Sequence, residues 1–412
     1  MKILMVCQHY YPERFQNQDI CEQLVRDGHE VTVLTGLPNY ETGFVPEEYK
    51  HGKHNDEIIH GVQVYRTFEI GRRKGVLWRI LNYASYTLSS SWWALKNRRE
   101  YDVVFSYQLS PIFMMLPAVI TAKKQHIPLY VYCLDLWPES VKAMPPGGHP
   151  LIFKPVHGLS RWLYRQADAI SVQSKSFFEY FETVNRIPRE KLSYIPQMAP
   201  SDYTEMDFSN DNGVIDFVFL GNMGNAQDIE LIIHAAEQNK SLPGFAVHFV
   251  GDGIFLPRAK QLVAQKKLER LVFFHGRKPA VEMPQYYKLA DVCLVTLKAG
   301  SIISKTIPAK VQGYMAAGIP ILGALDGHGA EVIKESGAGV CVPAGAAEAF
   351  AAAMRDFILH YDTYRNCGEK ARTYFKNNFT KRKMVDALEA QFWELINNQG
   401  EKEPCRHLAA QR

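Results

Sequence analysis

Two short segments in the second half of the chain combine residue types that bind negatively charged groups. The first, FLGNMGNAQDIELIIHAAEQ at 219–238, reads as a strand, a turn containing Gly221 and Gly224, and an amphipathic helix. Glycine lets a turn approach a ligand closely, and the free N–H groups of a helix N-terminus favour a phosphate. The second, IPAKVQGYMAAGIPIL at 307–322, places Lys310 in the first turn of a helix, where a cation opposes the helix dipole unless an anion docks nearby. Together they predict an anion site, with an ordinary strand-to-helix turn and a solvated lysine as the alternative.

Alternating strands and helices must position these residues. Apolar strand-like runs recur in both halves of the chain, among them KILMVCQHY (2–10), DVVFSYQ (102–108), PLYVYCLD (128–135), IDFVFLGN (215–222), AVHFVGDG (246–253) and LVFFHGR (271–277). Continuous apolar strands between helices are typical of parallel sheets covered on both faces. Several runs end in glycine or polar residues, at the edge where open α/β sheets place ligands. We expect two doubly wound α/β domains, at 1–200 and 214–380, joined by the polar segment 199–214 and followed by an amphipathic helix at 381–398.

Composition narrows the class of protein. The chain has 412 residues, 47% of them hydrophobic, and a net charge of +4, which argues against a dedicated nucleic-acid binder. Its seven cysteines include no C-x-x-C pair, so we do not expect a zinc site. We expect buried free thiols in a protein of a reducing compartment. The segment MKILMVCQHYYP does not have the pattern of a signal peptide and no run reaches about 20 apolar residues, so we expect a cytoplasmic protein without a membrane span.

Five segments resemble family 4 glycosyltransferases, and more narrowly their WbuB-type subgroup, which acts in bacterial surface-polysaccharide assembly. They follow one another along the chain as GHEVTVLTGLPNY (28–40), DLWPES (135–140), GNMG (221–224), VGDG (250–253) and PAKVQGYMAAGIPI (308–321). The resemblance spans about positions 1–396. It implies a GT-B fold, in which two Rossmann-like domains face each other across a cleft and the last helix crosses back to the first domain. It also implies a retaining reaction with a nucleotide-sugar as co-substrate and neither metal nor cofactor.

The donor residues of the family are only partly present. Relatives often bind the donor pyrophosphate with an arginine and a lysine where this chain has Asn222 and Gln227. They also carry two glutamates, with seven residues between them, where it has Lys305 and Gly313. The diphosphate charge must still be met by charge-assisted bonds or a helix terminus, with Lys310 as the main candidate. The predicted donor-binding set is Gly221, Asn222, Gly224, Gln227, Gly251, Asp252, Gly253, Arg277, Lys305 and Lys310, Arg277 being alternatively a surface arginine at a strand end.

The acceptor side is predicted in the first domain. YCLDLWPES ends a buried strand with Asp135, and relatives have Asp or His near the reacting sugar in this region. Asp135 alternatively caps the following turn. The predicted catalytic residues are Asp135, Glu139 and Lys310, and the predicted acceptor-binding residues are Gln16, Asn39, Tyr40 and Trp137. Gln16 lies at the start of the first helix, where Asp19 is a candidate N-cap.

A basic and aromatic stretch, RRKGVLWRILNYASYTLSSSWWALKNRR at 72–99, has seven Arg or Lys, three Trp and no acidic residue. Trp and Tyr favour the lipid headgroup region, and basic groups attract anionic lipid. We expect this stretch to dock on the inner face of the cytoplasmic membrane, with a helix packed on the sheet as the alternative.

The resulting hypothesis is a retaining glycosyltransferase that moves a sugar from a UDP donor to a lipid-linked saccharide. A non-hydrolysing UDP-sugar 2-epimerase and a non-catalytic scaffold of the same fold are the alternatives. Donor sugar, acceptor linkage and oligomeric state are left open by the sequence.

Overall fold

The chain forms two compact α/β units, each built on a mainly parallel sheet. The computed structural model describes residues 1–139, 150–300 and 306–400, without the side chains of 150–154 and 400. The first unit consists of Met1–Ile195 with the chain from Met384, and the second of Pro196–Lys383. Two α/β units with parallel sheets confirm the predicted fold class.

The first unit contains eight strands in the described residues. They are β1 (Lys2–Val6), β2 (Glu30–Thr35), β3 (Asp56–Ile59), β4 (Val62–Arg66), β5 (Val103–Gln108), β6 (Leu129–Cys133), β7 (Ala169–Val172) and β8 (Leu192–Tyr194). Its helices are α1 (Gln16–Arg26), α2 (Val76–Lys96), α3 (Leu116–Gln125), α4 (Pro150–Tyr164) and α5 (Phe177–Tyr180). None of the described helices combines the length and apolar character needed to cross a bilayer.

The order of the first sheet is β3-β4-β2-β1-β5-β6-β7-β8, and only the pairing of β3 with β4 is antiparallel. The central strands carry apolar side chains on both faces, and Ile3 to Val6 of β1 are fully buried. This continuous burial is why the strands read as unbroken apolar runs. The carboxyl ends of β1, β2, β4, β5 and β6 therefore meet at one edge.

The second unit follows the same plan. Its strands are β9 (Ile215–Leu220), β10 (Phe245–Val250), β11 (Val272–Gly276), β12 (Val292–Thr296), β13 (Ile321–Ala324) and β14 (Gly339–Val342), in the parallel order β11-β10-β9-β12-β13-β14. Its helices are α6 (Ile229–Asn239), α7 (Leu256–Gln265), α8 (Met283–Leu289), α9 (Ala309–Ala317), α10 (Gly327–Ser336), α11 (Ala347–His360) and α12 (Arg365–Asn378). Gly318 ends α9 in the left-handed region with φ 69°, as glycine readily does.

The last helix, α13 (Lys381–Gly400), belongs to the first unit from Met384 onward. Its residues Met384, Val385, Leu388 and Phe392 are buried. The Phe392 ring lies 5.2 Å from that of Phe105 in β5 and 5.1 Å from that of Tyr130 in β6. The helix therefore closes one face of the first sheet.

Two local expectations differ from the structure. The segment 199–214 is no free linker, because Ala199 and Phe208 are buried in the apolar core of the second unit. The mostly polar composition of 199–214 gave no indication that these two side chains are buried. Asp19 is not the N-cap of α1 but lies in its first turn, and Phe15 holds the cap position without a side-chain hydrogen bond.

Candidate functional site

The turn after β9 lies directly against the turn after β10. The N–H of Gly221 donates to the carbonyl of Val250 (2.9 Å), and that of Met223 donates to the carbonyl of Asp252 (2.8 Å). A Cβ on Gly251 would stand 2.0 Å from the Gly221 carbonyl oxygen, and one on Gly253 would stand 2.4 Å from that of Met223. Gly251 and Gly253 therefore serve a backbone-on-backbone contact, at φ 147° and 157°.

The turn that leads into α6 contains internal hydrogen bonds. The side-chain oxygen Oε1 of Gln227 accepts the N–H of Gly224 at 3.0 Å, and the N–H of Gln227 itself donates to the carbonyl of Gly224 at 3.3 Å. The N–H of Gly224 is thus bonded within the turn, whereas that of Gly221 is bonded to β10. Gln227 therefore braces the turn from within, and a phosphate site at the N-terminus of α6 stays a prediction.

Lys310 brings an uncompensated cation to this turn. It is the second residue of α9, and its Nζ is buried with no hydrogen-bond partner in the described part of the chain. Nζ lies 3.7 Å from the centroid of the Phe219 ring and 3.6 Å from the place a Cβ on Gly221 would take. Burial lowers the pKa of Lys310 from 10.5 to about 7. An anion bound at the Gly221 turn would offset the free-energy cost of burying this charge.

The other predicted donor residues that the structure describes lie at the carboxyl edge of the second sheet. Asn222 and Asp252 are exposed on the two turns, and the Asp252 carboxylate accepts the N–H of Gly253 at 2.7 Å. Arg277 is exposed just after Gly276, whose carbonyl accepts the N–H of Gly251 at 2.8 Å. Lys305 lies outside the described residues. The structure thus brings the two glycine turns, Lys310 and the start of the Arg277 loop to one edge of the second sheet.

Asp135 follows β6 at the carboxyl edge of the first sheet. Burial raises its pKa, and hydrogen bonds from the side chain and backbone of Ser110 counteract the rise. The Asp135 side chain therefore contacts the loop after β5. A half-buried carboxylate with a raised pKa is a common property of functional sites.

Trp137 and Glu139 are held by neighbouring helices. Trp137 is buried, its ring 4.9 Å from that of Phe113, and its indole nitrogen has no hydrogen-bond partner in the described part of the chain. Glu139 accepts a hydrogen bond from the Tyr180 hydroxyl at 3.2 Å and lies 3.6 Å from Nε2 of His157. Glu139 is thus part of an internal polar contact at the last residue described before 150.

The predicted acceptor residues occupy different environments. Tyr40 is 47% exposed; its ring lies 4.9 Å from that of His9, and its N–H donates to the Glu13 carboxylate. Gln16 is half-buried at the first position of α1. Asn39 is buried, and its Oδ1 accepts the backbone N–H of Arg72 at 2.9 Å. Asn39 therefore positions the chain around the edge instead of facing it.

A buried polar network around Asn39 was missed by the sequence analysis. Oε1 of Glu69 accepts hydrogen bonds from Gln8 (2.8 Å) and Asn82 (2.6 Å), and Asn82 also donates to Asn39 (3.1 Å). Burial raises the pKa of Glu69 from 4.5 to about 7. Each residue follows a strand or lies within α2, so only their polar character in apolar surroundings could have marked them.

The family comparisons match both units. Residues 16–200 match Glycosyltransferase Family 4, and residues 205–374 match Glycosyl transferases group 1. The chain carries two glycosyltransferase domains. The family 4 domain holds the Asp135 edge, and the group 1 domain holds the two glycine turns and Lys310.

Two relatives that the chain matches come from bacteria. The chain is 30% identical to the probable glycosyltransferase WbjE of Pseudomonas aeruginosa over 50% of this chain and 53% of WbjE, so it spans about half of that relative. It is 24% identical to the putative colanic acid biosynthesis glycosyl transferase WcaI of Escherichia coli K12 over 94% of this chain and 99% of WcaI. Membership of the WbuB-type subgroup stays a prediction.

Solved structures share the fold. Anabaena Alr3699/HepE in complex with UDP is 16% identical, with a TM-score of 0.68 over 96% of this chain and 100% of that chain. Sucrose-phosphate synthase from Thermosynechococcus elongatus is 15% identical, with a TM-score of 0.74 over 96% of this chain and 99% of that one. At these identities the likeness shows the fold alone.

Proposed function

We propose that this chain is a retaining glycosyltransferase of bacterial surface-polysaccharide biosynthesis, in an O-antigen, capsule or exopolysaccharide. It transfers an N-acetylated amino or deoxyamino sugar from a UDP-sugar to a polyprenyl-diphosphate-linked saccharide. The near full-length likeness to WcaI, named for colanic acid biosynthesis, supports the pathway class. HepE, a structural neighbour, has been crystallised with UDP and with UDP-glucose, which supports the donor class.

The observation that carries the proposal is the buried ammonium of Lys310 beside the Gly221 turn. A lysine kept out of water without an acidic partner is costly for the folded protein, and a diphosphate is a ligand that offsets this cost. In the proposed reaction the bond from the sugar C1 to the diphosphate oxygen breaks, and UDP leaves with the electron pair. Lys310 stabilises the negative charge that develops on that oxygen.

The acceptor hydroxyl completes the reaction. Its oxygen bonds to C1 on the face from which UDP departs, and its proton passes to the leaving diphosphate oxygen. Asp135 and Glu139 orient acceptor hydroxyls in this proposal, since carboxylates at a strand end accept hydrogen bonds well. Burial raises the pKa of Asp135, so its carboxylate is partly shielded from water at the place where the acceptor hydroxyls would bind.

A membrane-bound acceptor is supported by the surface of α2. One face of the helix packs on the sheet through Asn82, Tyr86 and Ala94. The opposite face exposes large apolar side chains: Val76 (72%), Leu77 (66%), Ile80 (56%), Leu88 (71%), Trp92 (60%) and Leu95 (55%). Contiguous apolar side chains of this size on a protein surface are typical of interaction sites.

The apolar face of α2 continues into a groove with basic residues at its borders. The groove has a volume of about 590 Å³ and is lined by Ile80, Leu88, Phe113, Leu159 and Trp162 among others. Lys96 lies 4.4 Å from the Trp92 ring, and Lys123 lies 5.7 Å from the Trp162 ring. Apolar side chains with flanking lysines suit a peripheral protein on the anionic cytoplasmic face of a membrane.

A UDP-release screen tests the proposal. The purified protein is incubated with a panel of UDP-sugars, with and without a lipid-diphosphate-linked saccharide. We expect UDP release that requires the acceptor, that falls at least about a hundredfold in Lys310→Ala, and that is retained in the exposed control Lys334→Ala. Conversion of the UDP-sugar without acceptor would establish an epimerase, and binding without turnover would establish a scaffold; either result refutes the proposal.

A further inference from the structure

A second pocket lies at the carboxyl edge of the first sheet. It has a volume of about 560 Å³, within the usual range for small-ligand sites. Its walls come from the connection between β2 and β3 and from the segment that follows β4. The carboxyl edge is where open α/β sheets bind ligands.

The pocket combines aromatic faces with cations. Phe44 and Phe68 are 57% and 64% exposed, while Tyr49 is buried. The cationic and polar lining is provided by Lys50, His51, Asn55 and Arg73, and the buried Glu69 also lines the pocket. Aromatic faces pack against the C–H faces of sugar rings, and amide and cationic donors bond to their hydroxyl groups. This composition suits a saccharide better than a purely apolar ligand.

Arg73 is positioned for an anion. Its guanidinium carbon lies 5.2 Å from the Phe44 ring and 4.4 Å from the Trp78 ring, so both rings hold it by cation–π contacts. It forms no ion pair with any side chain among residues 1–139, 155–300 and 306–399. A guanidinium held in place with its donors available is suited to bidentate binding of phosphate.

The wall that follows β4 is fixed by α2. Asn82 donates to the carbonyl of Ile70 (2.6 Å), Ser85 accepts the N–H of Ile70 (2.9 Å), and Ser89 donates to the carbonyl of Phe68 (2.6 Å). Opposite it, a Cβ on Gly71 would stand 2.7 Å from the Gly43 carbonyl oxygen, so the two walls meet backbone to backbone. The pocket is therefore preformed.

The pocket adjoins the start of α2 through Arg73, which contacts the ring of Trp78 in that helix. Arg73 precedes the helix by three residues, and the exposed side chains that follow it are Lys74, Val76 and Leu77. A lipid carried on the apolar surface of α2 would present its headgroup at Arg73. We propose that the pocket holds the saccharide of the acceptor and that Arg73 binds the diphosphate joining it to the lipid. This inference rests on the proposed function for the nature of the acceptor.

Calorimetric binding without donor or vesicles tests the assignment. The probes are short-chain prenyl diphosphates carrying glucose, galactose, N-acetylglucosamine or N-acetylgalactosamine, the same prenyl diphosphate without sugar, and neutral prenyl glycosides without diphosphate. We expect the wild type to bind at least one complete probe about tenfold more tightly than either truncated form, the scale of one charge-assisted or stacking contact.

The variants separate the two contacts. Phe68→Ala should lose most of the preference for the sugar-bearing probe, and Arg73→Met should lose most of the preference for the diphosphate. The exposed controls Ile58→Ala and Arg270→Ala should keep both preferences. The assignment is overturned if the wild type prefers no complete probe, or if both preferences survive in both variants. Acceptor-dependent UDP release, measured separately, would still stand in that case.

Discussion

At the residue scale, Lys310 links ligand binding to pH. Its pKa is about 7 in the free protein, and a bound diphosphate raises it again, so binding above pH 7 requires uptake of a proton. We expect the affinity of the wild type for UDP to fall by up to about tenfold per pH unit between pH 7 and 9. Titration calorimetry across this range measures the slope.

The control for this prediction is Lys310→Met, which should bind UDP weakly and without that slope. The folded-state pKa of Lys310 lies below the ordinary value of 10.5, so its unfavourable effect is greatest below pH 7 and disappears as pH approaches 10.5. The unliganded variant should therefore unfold at a higher temperature than the wild type at pH 6.5. An unchanged slope in the variant would assign the pH dependence to another group.

Glu69 gives a second pH-dependent residue, in the first unit. Its pKa rises from 4.5 to about 7 because burial disfavours the carboxylate. The stability of the folded state is thus highest below pH 4.5 and falls as pH rises from 4.5 to 7, by at most about 3 kcal/mol. Glu69→Gln should remove this fall in urea unfolding midpoints measured from pH 5 to 8, whereas the exposed Glu47→Gln should retain it.

At the element scale, the packed turns after β9 and β10 depend on glycine. Gly251→Ala places a methyl group 2.0 Å from the Gly221 carbonyl oxygen, so the turn must move. We expect a loss of about 2–4 kcal/mol in unfolding free energy and a loss of UDP binding. Gly244→Ala, also at positive φ but with open space around it, should cost only about 1 kcal/mol and leave UDP binding intact. Equal effects of the two changes would contradict the steric explanation.

The α2 surface makes a prediction about membranes. A triple variant with Asn at Leu77, Ile80 and Leu88 should lose most of its co-sedimentation with anionic vesicles, since each buried apolar side chain contributes about 1.5–3 kcal/mol. The matched control places Asn at Ile58, Val281 and Leu359, which are 72%, 84% and 56% exposed. If both variants bind vesicles like the wild type, membrane docking through α2 is wrong.

At the scale of the whole molecule, the last helix stabilises the first unit. Phe392→Ala removes a fully buried ring from its contacts with Phe105 and Tyr130, at a cost of about 3–5 kcal/mol. Hydrogen exchange should accelerate in β5 and β6 while β9 and β10 stay protected. Phe357→Ala, in the core of the second unit, should give the opposite pattern. Acceleration in both units for both variants would mean that the chain unfolds as one.

The fold was predictable because its determinants are local. Buried parallel strands such as β1 are continuous apolar runs, and Lys310 attracted attention by its charge in a helix first turn. The Glu69 network was not predictable, since Gln8, Asn39 and Asn82 meet only through the sheet order. The segment 199–214 was predicted to be a linker from its polar composition, but the burial of Ala199 and Phe208 attaches it to the second unit. The hydrogen bond from the N–H of Gly224 to the Gln227 side chain was not predicted either, because glutamine has no strong preference for such a position.

The chain leaves the first unit after Ile195 and re-enters it at Met384. During synthesis, helix α13 can therefore cover the sheet of the first unit only after the entire second unit has emerged from the ribosome. The usual order, in which an amino-terminal domain completes its fold first, is reversed. In the interval the faces of Phe105 and Tyr130 are uncovered, and a nascent chain halted near residue 383 would be a natural client for chaperones.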